Sequence, residues 1–154
     1  MNDRDAAAIK SLIRRLDEAV SAEEGIGALS RAERVLFCAI TGKLQLDDNG
    51  FRCLFETGLS VVEVAASFRA LGRTAMAEAC ASAVKKLFPE GEPADWKIRQ
   101  RLFLAAPRNL LLSEEEIVQS EKSELLQEAM VAYARENRVI EPELDERQHA
   151  DQKN

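Results

Sequence analysis

The stretch Leu59-Ser60-Val61-Val62-Glu63-Val64-Ala65-Ala66-Ser67-Phe68-Arg69-Ala70-Leu71-Gly72 decides the fold class. The Ser60 hydroxyl can accept a hydrogen bond from the amide three residues on, and Glu63, at that position, can reach back to the Ser60 amide. This reciprocal arrangement satisfies two backbone donors that a helix start leaves without partners. Apolar residues come next at helical spacing, and Gly72 is suited to the left-handed turn that closes a helix. The same signature recurs at Leu29-Ser30-Arg31-Ala32-Glu33 and at Leu112-Ser113-Glu114-Glu115-Glu116. Three helix starts are therefore expected. They do not form an internal repeat, because the apolar segments behind the three signatures differ in length and pattern.

Working outward, Ile9, Leu12, Ile13, Leu16 and Val20 predict an amphipathic helix over 4–21. A second helix is expected over 31–44, with Val35, Leu36, Cys38, Ala39, Ile40 and Leu44 inward. Asp47-Asp48-Asn49-Gly50 reads as a turn, and Phe51–Glu56 as a short helix stopped at Thr57-Gly58. Further helices are expected over 61–71 and 74–88, and from an Asp95 cap to Ala106, with Trp96, Leu102 and Phe103 as anchors and Pro107 as the stop. A last helix is expected from Ser113 to Asn137, with Leu126, Ala129, Met130 and Tyr133 along one face. No run reads as a strand. The expected fold is all-α: a compact bundle of about six or seven helices in a single domain over 1–140, with helices 61–71 and 74–88 as a central antiparallel pair. Phe51, Leu54, Phe55, Phe68 and Phe88 are expected in its core, and 141–154 is expected to be a flexible acidic tail.

Composition narrows the function. The net charge of −6 is unevenly spread: residues 1–88 hold 12 acids and 12 Lys/Arg, whereas residues 113–154 hold 12 acids and 5 bases, a net of −7. An acidic surface repels phosphates, which disfavours direct binding to nucleic acid or to an anionic membrane and favours a basic protein partner. The three cysteines, Cys38, Cys53 and Cys80, are well separated and odd in number, and form no CxxC pair. They read as small hydrophobes in a reducing compartment rather than as a disulfide framework. Met-Asn-Asp-Arg-Asp at the start contains no apolar run of the signal-peptide kind, so a cytoplasmic setting is expected.

The patterns that would carry catalysis are missing. The one histidine, His149, lies in the expected tail, where nothing would hold a general base in place. There is no Walker A loop and no GxGxxG. The stretch from Gln45 to Glu56 offers Asp47, Asn49 and Glu56 at calcium-loop spacing around Gly50, but it places Gln45 where the first carboxylate is needed and Arg52 where an apolar residue normally sits. No cofactor or metal is expected. Lys85-Lys86 and Arg99–Arg101 read as surface charges, and Trp96 and Tyr133 as core aromatics.

The remaining candidates are carboxylates. Glu114, Glu115, Glu116, Glu121, Glu124 and Glu128 are the candidate partner-binding residues, because an array of them on one rigid helix could present the charge of a phosphate backbone to a basic protein. For Glu114-Glu115-Glu116 alone, the plainer reading is a helix start whose dipole favours negative charge.

Asn49-Gly50-Phe51-Arg52-Cys53-Leu54-Phe55-Glu56-Thr57-Gly58, with Val62-Glu63-Val64, Ala70-Leu71-Gly72 and Leu87-Phe88-Pro89, carries a family resemblance over about residues 33–91. It resembles a bacterial all-α domain family of unknown function that includes a DNA-mimic protein. Asn49 stands where that family has a second glycine, and Cys53-Leu54 where it has a polar-aromatic pair. The resemblance implies a helical bundle, often dimeric, without known catalysis. Together, charge and resemblance lead to the expectation of a non-enzymatic interaction protein, a DNA-mimic-like regulator whose acidic C-terminal third binds a basic DNA-binding protein. The alternatives are an immunity or antitoxin-like inhibitor of a basic toxin, an enzyme with a site near 47–56 using Cys53 or a carboxylate, and a scaffold that dimerises through an apolar helix face.

Overall fold

The computed structural model describes residues 1–22 and 25–140, so the expected tail at 141–154 lies outside the described residues. The described residues form seven α-helices and no strand: α1 (Asp3–Ser21), α2 (Arg31–Phe55), α3 (Val61–Ala70), α4 (Thr74–Leu87), α5 (Trp96–Ala105), α6 (Leu112–Ser120) and α7 (Ser123–Glu136). A single turn of 3-10 helix, Gly25–Ala28, joins α1 to α2. The architecture is an all-α bundle in one domain.

The long α2 is the hub, and it packs against α1, α3, α5, α6 and α7. The α3–α4 hairpin, expected as a central pair, packs on α2 through α3 and on α6 through α4. Gly42 brings α2 and α3 together, since a Cβ there would stand 2.6 Å from Val64 Cγ1. Leu36, Cys38, Ala39 and Leu46 make up the buried side of α2. Leu44, expected inward, is 64% exposed, because at about 100° per residue it points away from the side that Leu36, Ala39, Lys43 and Leu46 share. Phe51, Leu54, Phe55, Phe68 and Phe88 are all buried as expected. Phe55 is the meeting point of the aromatic cluster, with its ring centroid 6.0 Å from Phe51, 5.5 Å from Phe88 and 5.5 Å from Phe103.

The expected turn at 47–50 is instead a kink within α2. The helix runs on through Asp48, breaks at Asn49 (φ −147°, ψ 34°) and Gly50 (φ 61°, ψ −154°), and resumes to Phe55. The Gly50 conformation belongs to a backbone region that is essentially closed to side chains.

The expected single helix over 113–137 is two helices, with Glu121 and Lys122 in extended backbone between them. The cause is helical phase. Glu114 and Val118 define the buried side of α6, while Leu126, Met130 and Ala134 define that of α7. At roughly 100° per residue, one straight helix would rotate the second set about 140° away from the first. Breaking the helix lets both sets face the core.

Gly50→Ala is expected to lower stability by about 1–3 kcal/mol from backbone strain, with a further loss because the new Cβ would run into the Glu115 carboxylate. Gly27 has open space around its Cβ position, so Gly27→Ala should change stability by less than about 1 kcal/mol. Urea unfolding of the two variants checks the contrast.

Candidate functional site

The three helix starts read from Leu-Ser-x-x-Glu take three different forms. At α2 the full reciprocal cap forms, with Glu33 N donating to Ser30 Oγ (3.2 Å) and Ser30 N to Glu33 Oε2 (3.3 Å). At α3 half of it forms. Ser60 Oγ accepts from Glu63 N, but the Glu63 carboxylate turns to an ion pair with Arg34. Glu92 accepts instead from the next two amides, Val61 N (3.0 Å) and Val62 N (2.9 Å). At α6 the box does not form: the helix begins at Leu112, the cap residue is the buried Leu111, and Ser113 Oγ donates to Glu114 Oε2.

This rearrangement divides the six candidate glutamates. Glu114 is buried against α4, where Ser82 Oγ donates to it at 2.8 Å and Lys86 Nζ pairs with it at 2.5 Å. Glu115 is half-buried and its Oε1 accepts from Phe51 N at 3.1 Å, so it caps the segment of α2 that resumes after the Gly50 kink. Glu121 is largely buried in an ion pair with Arg73, which ties the α6–α7 break to the start of α4. Glu116, Glu124 and Glu128 face solvent. Among the described residues, no ion pair holds Glu116 or Glu124, and Glu128 lies 3.7 Å from the Met1 amino group. The expected continuous array is therefore not present. Three of its members hold the fold together, and the other three sit on two separate helices.

Burial pushes the Glu114 carboxyl up. The Lys86 ammonium, the Ser82 hydroxyl, its own backbone N–H and the Ser113 hydroxyl outweigh that and hold it down at about 2. A buried carboxylate with such partners is a structural anion.

The region near 47–56, the alternative catalytic site, is likewise occupied. Asp47 accepts from the buried Lys43 at 2.7 Å, and Lys43 also donates to Val118 O of α6 at 2.8 Å. Glu56 pairs with Arg52 at 3.2 Å, and Gln119 Nε2 donates to Leu46 O at 3.0 Å. The two carboxylates of the calcium-loop spacing, Asp47 and Glu56, thus sit beside cations. The half-buried Cys53 thiol is pushed up by burial and by Asp48 and Glu56, the wrong direction for a thiolate nucleophile. Cys38 and Cys80 are buried, with thiols pushed up to about 12.

The arginine expected on the surface, Arg99, is buried instead. It pairs with the buried Glu92 at 2.5 Å and donates to Leu59 O (2.8 Å) and Thr57 O (3.1 Å). Asp95 caps α5 as expected, through its bond from Lys97 N. Two of the expected α5 anchors, Trp96 and Leu102, are partly exposed, and only Phe103 packs on the core. Tyr133 is half-buried against the core. No sequence signal marks the link between Glu92 and α3, since these residues lie about thirty positions apart.

Among the described residues, no helix is long and apolar enough to cross a membrane, and no group of three or more His, Cys, Asp or Glu is placed to hold a metal ion. No family model, curated protein or solved structure matches the chain.

The lowered Glu114 carboxyl makes stability depend on pH with a defined sign. Its contribution is complete above the ordinary carboxylate value of 4.5 and is lost as pH falls toward about 2. Glu114→Gln should be less stable than the parent at pH 7, and the gap should narrow across that acid window. Denaturant midpoints measured through the window check this.

Proposed function

We propose that this chain is a non-enzymatic interaction protein that binds a basic protein partner through the outward sides of α6 and α7. The observation that carries this reading is the division of the carboxylates. Glu116, Glu124 and Glu128 stay at the surface, where Glu136 joins them. They are accompanied by the exposed apolar side chains Leu112, Ile117 and Leu125. Exposed carboxylates steer a basic partner and select its register, and apolar side chains among them supply contact area. A DNA-binding protein is the partner class this favours, since the surface that grips phosphates would also accept carboxylates. An inhibitor of a basic toxin would use the same face.

The test is capture from a lysate of the native host, with the intact chain and the triple variant Glu116→Lys, Glu124→Lys, Glu128→Lys as baits. The parent chain should retain a basic DNA-binding protein that is released as salt screens the contact, and the variant should retain none. Retention of the same proteins by both baits would contradict the assignment. A basic toxin as the salt-sensitive partner would transfer it to the inhibitor reading.

A further inference from the structure

A second surface, opposite in charge, is built on α5. This ten-residue helix exposes four large apolar side chains: Trp96, Ile98, Leu102 and Leu104. It is held down by the buried Arg99 and by Phe103, which packs on the core. Lys97 and Arg101, four residues apart, form the ridge opposite that anchored side, with Leu104 beside them on the crest and Trp96, Ile98 and Leu102 on its shoulders. At the C-terminal end of α5 a pocket of about 310 Å³ is lined by Leu87, Leu104, Pro107 and Leu110, together with Arg52, Arg108 and Glu115, whose carboxylate already accepts from Phe51 N. Among the described residues, no ion pair holds Lys97, Arg101 or Arg108, and the Lys97 ammonium lies over the Trp96 ring at 5.9 Å. This basic and apolar strip stands out in a chain of net charge −6.

We propose that α5 and the adjoining pocket are a docking surface for an acidic amphipathic segment of a partner protein. The segment's carboxylates would face Lys97, Arg101 and Arg108, and an apolar side chain would enter the pocket beside Leu104. Charge complementarity and the apolar shoulders select this occupant. A nucleic-acid backbone would use the cations and leave four apolar side chains in contact with nothing. A helix lying in a membrane surface needs an uninterrupted apolar outer face, whereas here Lys97 and Arg101 share that face with Leu104. A protein segment with acidic and apolar faces satisfies both features at once. Its cations lie on α5 and in the segment after it, whereas the exposed carboxylates lie on α6 and α7.

Trp96 is the one tryptophan in the chain, so its emission reports directly on this surface. The experiment selects peptides from a random display library against the intact chain, then titrates the enriched peptides while following Trp96 fluorescence. Those enriched peptides that shift Trp96 emission to the blue should carry Asp or Glu together with apolar residues at helical spacing. Binding should fall about tenfold or more for Lys97→Glu with Arg101→Glu, and separately for the exposed Leu104→Glu, with circular dichroism unchanged in both. No peptide that shifts Trp96, Trp96-shifting peptides that lack acids, or binding of those peptides that survives all three substitutions would each overturn the proposal. So would a comparable shift produced by phosphatidylserine vesicles or duplex DNA, which would move the surface to a different class of partner.

Discussion

The Glu115 carboxylate beside Gly50 is the contact on which the rest of the structure leans. Where α2 leaves helical backbone at Asn49 and Gly50, the amide of Phe51 loses its partner within the helix. Glu115 supplies the acceptor, and the missing Cβ of Gly50 makes room for it. The bond fixes the start of α6 against the kink, while Lys43 and Gln119 fix its far end by reaching carbonyl oxygens across the same interface. With α6 held there, Glu114 meets Ser82 and Lys86 of α4. One interface thus joins α2, α4 and α6.

The same device recurs at the start of α3. Glu92 accepts from two of the helix's first amides and is itself gripped by the buried Arg99, which also binds the carbonyl oxygens of Thr57 and Leu59. Removing one member of such a buried pair costs about 3–5 kcal/mol, because the other charge is left without compensation. Both sites use a carboxylate brought from a distant segment to accept from amides at the start of a helical segment. Part of the chain's acidity is therefore a structural material, used to close helix ends.

Local rules carried well from sequence to structure. Caps at Ser30 and Asp95, the helical spacing of α1, α3 and α4, and the phenylalanine core are set by residues within a few positions of one another. Long-range partners were illegible for the same reason. Nothing near Glu115 in sequence indicates that it faces Phe51, and nothing near Arg99 indicates that it is buried beneath Thr57 and Leu59. The break at Glu121 was readable in principle from the phase shift between Val118 and Leu126. A continuous run of helix-favouring residues conceals such a shift unless the buried positions are plotted around the helix axis. The candidate site was legible as a charge excess and illegible as a geometry, because composition counts carboxylates without saying which of them are already paired.

That distinction bears directly on function. Glu114, Glu115 and Glu116 are adjacent and chemically identical, yet one is buried in a polar network, one caps a helix fragment and one faces solvent. The direct test is the thermal midpoint of three single variants, Glu114→Ala, Glu115→Ala and Glu116→Ala, at neutral pH. Loss of hydrogen bonds to a charged group of about 1.5–3 kcal/mol should lower the midpoint by several degrees for the first two, and the third should melt with the parent chain. Equal midpoints for all three would contradict the division between structural and surface carboxylates.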